Sequence, residues 1–274
     1  MIRNEGEDRA LAGNRYQLQR VLGRGGMAVV HEAFDTVRGE CVALKRMRRH
    51  DDPEKHARNA QLFEREFHTL AQLAHPRVVA VRDFGLDADG AYYAMELLDG
   101  GDLQAAAPLP WQKVCAIAHD LCSALSLLHS RGLLHRDVSP RNVRLTSHGL
   151  AKLIDFSAVC PVGTSELRVG TPPCCAPEVL TRQPLDGRTD LYGLGALLYY
   201  LLVGQHAVHA RSFESLPDAW SDGFAAPSEL VPDIPAALDA LIVDLLRFDP
   251  DARPASASDV IARLRAIGGR AGHS

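Results

Sequence analysis

The nine residues Leu134-His135-Arg136-Asp137-Val138-Ser139-Pro140-Arg141-Asn142 constrain this chain of 274 residues more than any other stretch. An apolar run ends in a His-Arg pair, an Asp follows, and an Asn stands five positions after the Asp. A loop of this kind can aim one carboxylate at a substrate hydroxyl while a nearby amide oxygen reaches a metal ion. Taken alone the pattern is weak, because short triplets recur by chance. Its weight comes from order: a Gly-rich loop, a strand lysine and a helix glutamate precede it, and a strand-end Asp and an Ala-Pro-Glu follow.

Upstream, Tyr16 to Val21 alternates polar and apolar residues as a strand does. Then come Leu22-Gly23-Arg24-Gly25-Gly26-Met27-Ala28-Val29-Val30, and a second alternation to Phe34. Glycines here let backbone approach phosphate oxygens without a Cβ in the way. The flanking strands predict strand-loop-strand, whereas a dinucleotide-binding loop runs into a helix and carries an acidic residue about 20 positions later. An ordinary Gly-rich hairpin is the plain alternative. Cys41-Val42-Ala43-Leu44-Lys45 predicts a short apolar strand ending in a lysine, which either snorkels to water or finds an anion. Pro53 to Leu73 carries Leu62, Phe63, Phe67, Leu70 and Leu73 at helical spacing. Glu66 lies on or beside that inward face and is the expected partner of Lys45, with Glu64 as the fallback.

His75-Pro76 closes the helix. Val78 to Phe84 and Ala91 to Leu97 predict two strands joined at Asp87 to Gly90. Near residue 99 the composition turns from strand-rich to helix-rich, which places a lobe boundary there. Trp111 to Ser130 presents Val114, Ile117, Ala118, Leu121, Leu125 and Leu128 on one face, and Cys115 and Cys122 fit its packing. Asn142 to Leu145 and Ala151 to Ile154 predict a small hairpin, with Asp155-Phe156-Ser157 at its end. Asn142 and Asp155 form a pair of oxygen donors suited to Mg²⁺, although a turn Asp at a strand end is also common. Ala158 to Cys175 lacks clean periodicity. Helices are predicted from Glu178, over Asp190 to Gly204, over Asp233 to Leu246 and over Ser258 to Ile267. His206 and His209 are read as solvent-facing side chains rather than ligands.

A net charge of -4 argues against general nucleic-acid binding. Six cysteines without Cys-x-x-Cys spacing fit a reducing cytoplasm rather than a disulfide framework. Adjacent Cys174 and Cys175 are read as packing, with a redox switch as the minor alternative. The longest apolar run, Leu191 to Gly204, is about 14 residues, too short for a membrane span. No signal peptide is expected, since Met1 to Asn14 is polar and charged; residues 1–14 are expected to be a flexible leader and 267–274 a flexible tail.

From about Arg15 to Ala266 the chain resembles a eukaryotic-like serine/threonine protein kinase of the bacterial kind, on the Gly loop, Lys45, Glu66, His-Arg-Asp, Asn142, Asp155 and Ala176-Pro177-Glu178 taken in order. The resemblance implies an α+β, bilobal protein-kinase fold: a small β-rich N-lobe with one main helix over 15–98 and a larger α-helical C-lobe over 99–266. It implies transfer of the ATP γ-phosphoryl to Ser or Thr hydroxyls of proteins, with Mg²⁺ (or Mn²⁺) and with autophosphorylation through self-association. On it, Leu22, Gly23, Arg24, Gly25, Gly26, Met27, Ala28, Val30 and Ala43 take part in ATP binding. Met95 is the gatekeeper, Glu96 and Leu98 offer backbone groups to adenine, and Asp102 meets the ribose. Lys45, paired with Glu66, holds the α- and β-phosphates; Asp137 orients the hydroxyl and accepts its proton; Asn142 and Asp155 bind metal. Asp190 holds the catalytic loop backbone. In the activation segment, Glu178 pairs with Arg253, Thr171 sits beside the catalytic Asp, and Thr164 and Ser165 are phosphorylation sites, with Glu166 as a partial mimic.

The chain departs from the family pattern at four places. Ala28 replaces a third glycine, and Ser157 replaces the glycine after Asp-Phe. Ser139 stands where a lysine near the γ-phosphate is usual, removing one cation from the transition state. Arg144 stands on the normally apolar adenine floor, where it either stacks on adenine or weakens nucleotide binding. These departures keep a second reading open, a pseudokinase that scaffolds or binds ATP with weak or no transfer. A third, a small-molecule phosphotransferase, is disfavoured by Ala-Pro-Glu and Arg253.

Overall fold

The computed structural model describes residues 11–163 and 168–271. The chain divides into two compact units, one spanning residues up to Ala74 together with Val79–Leu98, the other His75–Val78 and the chain from Asp99 onward.

The first unit is a six-stranded antiparallel sheet and one helix. Its strands are β1 (Leu11–Ala12), β2 (Tyr16–Arg24), β3 (Ala28–Asp35), β4 (Glu40–Met47), β5 (Val81–Asp87) and β6 (Gly90–Glu96), in the order β1-β2-β3-β4-β6-β5. Helix α1 (Pro53–Gln72) lies between β4 and β5 in sequence. Asp52 caps it by accepting from the Glu54 and Lys55 amides, and Pro53 opens it without wasting a donor. Its buried residues Phe63, Glu66 and Leu70 fall one turn apart, on one face. Phe63 and Phe67 meet Tyr93 and Phe84 of the sheet at ring distances of 5.0 to 6.5 Å. On the β1 side, Ala12, Tyr16, Ala33, Val42, Leu44, Tyr92 and Ala94 form a core cluster.

The flexible leader is corrected over residues 11–14. Leu11–Ala12 pairs with β2, Ala12 is fully buried, and the Gly13 amide donates to Asp87. A two-residue strand is too short to show alternation in sequence. Arg15 then locks this edge by binding Asp35 and Asp83, and holds the Asp35 pKa down to about 2 through its hydrogen bond.

The second unit is mainly helical. Its helices are α2 (Leu103–Ala106), α3 (Trp111–Ser130), α4 (Pro177–Thr181), α5 (Gly187–Val203), α6 (Leu216–Ser221), α7 (Pro227–Leu230), α8 (Ala236–Leu245) and α9 (Ala257–Ala271). Two small ladders accompany them: β7 (Leu133–Leu134) with β10 (Cys160–Pro161), and β8 (Val143–Leu145) with β9 (Ala151–Leu153). Helix α5 is buried on nearly every side, packs against α3 and α8, and ends at Gly204 in the left-handed region. Helix α3 buries the face read from its apolar spacing, and Asp120 on it ties Arg77 to the Ala151 amide of β9. The flexible tail is also corrected: α9 continues to Ala271, and Ile267 is buried. The breakers in the pattern there are Gly268 and Gly269, each of which a docked helix tolerates at about 1 kcal/mol.

The β7–β10 ladder and the short helices α2, α6 and α7 carry no sequence signal of their own, since elements of two to six residues fall below any period. No helix among the described residues is long and apolar enough to cross a membrane.

Gly195 of α5 has no room for a side chain, because a Cβ there would lie 2.7 Å from Leu245 Cβ of α8. Gly195→Val is expected to separate α5 from α8 and destabilise the second unit by about 1–3 kcal/mol, read as a lower midpoint in urea unfolding followed by circular dichroism.

Candidate active site

Each unit carries part of the residue set read from the sequence. In the first unit, β2 and β3 form a strand-turn-strand around the glycines, closed by the Gly25 amide donating to Ala28 O at 2.8 Å. Gly23 pairs with Val30, and no helix follows the loop. Ala28, in place of the third glycine, is buried and pairs with Met47. Ala43 and Met95 are buried opposite one another on β4 and β6. Leu22 and Leu98 are half-buried, and Glu96 is fastened to Ala80 through both its amide and its side chain.

Lys45 sits on β4 opposite Tyr93, inside the sheet, where an unpaired ammonium would be costly. Its Nζ donates to both carboxylate oxygens of Glu66, at 2.6 and 2.9 Å, and Tyr93 Oη donates to the same carboxylate at 3.1 Å. Both side chains are buried. Glu64, the fallback, is exposed and lies beside His68. Two residues along a helix turn a side chain by about 200°, so only one of the two glutamates can face the sheet.

In the second unit the loop that carries Asp137 hangs from Asp190, the fully buried acid in the first turn of α5. Asp190 accepts from the amides of His135 at 2.9 Å and Arg136 at 2.7 Å, and pairs with His129 Nε2 at 2.8 Å. Arg136 is left-handed, with φ 66°, and the bond to Asp190 offsets that local strain. Phe156 packs edge-on against the His135 ring at 5.0 Å.

The loop delivers Asp137 with both oxygens engaged. Oδ1 accepts the Thr171 amide at 2.9 Å, and Oδ2 accepts Asn142 Nδ2 at 2.6 Å. Asn142 Nδ2 also donates to Asp137 O, which leaves the amide oxygen as the Asn142 atom suited to a cation. The β8–β9 hairpin sets Asn142 beside Asp155: Val143 pairs with Leu153, and the Ile154 amide donates to Asn142 O. Asp155 accepts the Ser157 amide, and Ser157 is exposed with a backbone outside the left-handed region, so a side chain is accommodated there. An all-oxygen pair of this kind suits a hard divalent ion. Gly170 allows the approach of Thr171, since its φ is +108° and a Cβ would lie 2.9 Å from Arg136 O.

Ser139 is fully buried, and its hydroxyl accepts from Thr171 Oγ1 at 3.3 Å. Asp137 is thus oriented by an amide and a carboxamide, with a hydroxyl pair behind it, rather than by a lysine. Arg144 forms an ion pair with Asp102 at 2.9 Å, and the two residues also form a β-bridge. The structure therefore joins two residues to which the sequence assigned separate nucleotide contacts. Glu178 on α4 receives both terminal nitrogens of Arg253, at 2.7 and 2.9 Å, and the Thr189 hydroxyl as well. Thr164, Ser165 and Glu166 lie outside the described residues.

Cys174 and Cys175 are buried free thiols. Burial pushes the Cys174 pKa up and that of Cys175 to about 12, so both stay protonated and act as packing rather than as a redox pair. His206 is half-buried against the Tyr200 ring, not solvent-facing, while His209 is exposed. Sequence reasoning missed His129, Asp120 and the Ser139–Thr171 contact. A His in the last turn of an apolar helix was the one available hint for His129.

Burial pushes the Asp190 pKa up, but the His129 hydrogen bond, the charges of His129 and His135 and the Arg136 amide outweigh it and hold it below its ordinary value of 3.8. A lowered folded-state pKa contributes stability that is complete above the ordinary value and lost as pH falls through the folded one. Asp190→Asn is expected to cost about 3 kcal/mol at neutral pH. The gap from the parent chain should close as pH drops below 3.8, followed by the fluorescence of Trp111 and Trp220 in urea titrations at each pH.

Comparison with known proteins identifies the family. Residues 16–263 match the family model described as protein kinase domain. Serine/threonine-protein kinase PksC of Streptomyces coelicolor is 35% identical over 269 residues, covering 91% of this chain and 48% of the relative. The DNA damage-responsive serine/threonine-protein kinase RqkA of Deinococcus radiodurans is 35% identical, covering 95% of this chain and 40% of its own length. Serine/threonine-protein kinase PknE of Mycobacterium tuberculosis is 34% identical over 92% of this chain and 46% of its own. The chain thus spans less than half the length of these curated relatives. It belongs to the protein kinase domain family, with bacterial serine/threonine-protein kinases among its relatives.

Proposed function

We propose that the chain is a serine/threonine protein kinase that uses ATP and a divalent cation, Mg²⁺ by preference. The observation that carries this reading is Asp137, presented by a loop fixed to a buried acid and held at both oxygens by Thr171 and Asn142. A carboxylate so oriented can hold a substrate hydroxyl and accept its proton as the hydroxyl oxygen attacks. The γ-phosphoryl then bonds to that oxygen, its bond to the bridging oxygen breaks, and ADP leaves. ATP supplies the phosphoryl group, and the divalent ion neutralises charge on the phosphate oxygens. Asn142 and Asp155 would hold that ion, and Lys45, kept in place by Glu66, would bind the α- and β-phosphates.

The chemistry is positioning and charge neutralisation rather than covalent catalysis. The buried Glu178–Arg253 pair supports a protein substrate over a small molecule, because it fixes the end of a platform onto which a peptide would lie. Transfer between copies of the chain at Thr164 or Ser165 belongs to the same reading, and six free thiols fit a reducing cytoplasm. Ser139 favours a second reading, a nucleotide-binding scaffold, because the cation usual at that position is replaced by a buried hydroxyl.

A phosphorylation assay with ATP, Mg²⁺ and a protein acceptor tests the kinase reading. Phosphothreonine or phosphoserine should form with the parent chain and fall by about a thousandfold or more with Asp137→Asn, with ATP binding retained. An ATP-dependent thermal shift without transfer would instead favour the scaffold.

The Arg144–Asp102 pair yields a second expectation. With its carboxylate committed to Arg144, Asp102 is less available to ribose hydroxyls. Arg144→Leu should release it and lower the KM for ATP by about threefold to tenfold, measured by initial rates. A higher KM would show that Arg144 stacks on the base.

A further inference from the structure

Strand β6 carries two consecutive tyrosines, Tyr92 and Tyr93. Tyr93 pairs with Lys45 of β4, and Tyr92 with Arg46. Side chains alternate along a strand, so Lys45 and Tyr93 share one face of the sheet and Arg46 and Tyr92 the other. The ring contacts agree. Tyr93 meets Phe63 and Phe67 of α1 at 5.0 and 5.9 Å, whereas the Arg46 guanidinium lies over the Tyr92 ring at 5.4 Å. An apolar side chain would serve for packing on α1. Tyr93 carries a hydroxyl there instead, and the residue is fully buried. A hydroxyl taken out of water needs a partner.

That partner is the Glu66 carboxylate. Tyr93 Oη donates to Glu66 Oε1 at 3.1 Å. Lys45 Nζ donates to the same oxygen at 2.6 Å and to Oε2 at 2.9 Å. Glu66 is thus held from two adjacent strands, by one charged donor and one neutral donor. An ammonium has three N–H groups in all. A lysine that also binds phosphate oxygens must divide them between the phosphates and Glu66. As it does so, Glu66 loses part of its compensation while it stays out of water, where that loss is costly.

We propose that Tyr93 is a positioning residue, whose hydroxyl holds Glu66 so that Lys45 can turn its donors to the nucleotide phosphates. The proposal rests on the reading of Lys45 as the phosphate-binding lysine and deepens it. The Tyr93 ring is fixed between Phe63 and Phe67, so its hydroxyl stays on Oε1 while Lys45 moves between partners. Without that hydroxyl, Glu66 claims more of the lysine's hydrogen bonding and less is left for phosphate. Tyr93 itself touches no part of the nucleotide; its effect reaches the ligand through Lys45.

Calorimetry of the full chain with ADP and with adenosine, both with Mg²⁺, separates this role from packing. The parent chain should bind ADP more tightly than adenosine. Tyr93→Phe removes one oxygen and keeps the ring. It should shrink that preference by about threefold to tenfold through weaker ADP binding, with adenosine unchanged. In initial-rate assays the same variant should raise the KM for ATP more than it lowers kcat. Phe67→Leu is the packing control: it disturbs the surroundings of the Tyr93 ring and leaves the hydroxyl. It should lower the thermal midpoint and keep the parent's ADP preference. A Tyr93→Phe chain with the parent's ADP preference overturns the proposal, because the hydroxyl would then serve packing alone. So does a Tyr93→Phe chain that loses both ligands equally, or a Phe67→Leu chain that loses the ADP preference to the same degree. Each of these outcomes leaves the kinase reading intact. A parent chain that binds ADP no better than adenosine overturns the phosphate role of Lys45, and this proposal with it.

Discussion

A carboxylate with no access to water must be given donors, and Asp190 obtains them from the backbone of the loop it organises. The acid sits in the first turn of α5, the most enclosed helix of the second unit, where the helix dipole also favours negative charge. Its partners are the amides of His135 and Arg136, so the loop is fixed at the two residues immediately before Asp137. From that anchor follow the left-handed turn at Arg136, the contact of Asp137 with Thr171, and the reach of Asn142 back to Asp137. The same logic operates in the first unit, where the buried Lys45 ammonium is balanced by Glu66 and steadied by Tyr93. Ions of this sort contribute little net stability against apolar replacements, but removing one partner is costly, and the arrangement is specific as a result.

Kinase membership bounds what such a geometry does, and the departures from the family pattern show how the chain adapts. Ser139 does not leave Asp137 loose, because Thr171 holds one oxygen and Asn142 the other. Arg144 is not an unpaired charge on a floor, because Asp102 meets it across a β-bridge. Ser157 fits because the backbone there needs no left-handed residue.

Much of the fold was legible because the long elements announce themselves. Helix α3 buries the positions its apolar spacing selects, and α1 begins at the Asp-Pro start that its sequence spells out. The short elements were not legible. Strands β1, β7 and β10 are two residues each; β1 pairs along the longer β2, and β7 and β10 pair only with each other, across 26 or more residues of chain. Among the site residues, Glu66 could be favoured over Glu64 by helical phase alone. His129 could not be found, because its partner lies 61 residues away on another helix.

By itself the sequence determined the family, the order of the chemistry-bearing residues and the elements with a clear period, since these depend on local spacing and residue type. Tertiary structure decided which charges are spent on one another. Arg144 binds Asp102, Thr171 meets Ser139, and Asp190 meets His129. Such pairings depend on distances between residues far apart in the chain, and local periodicity carries no information about them.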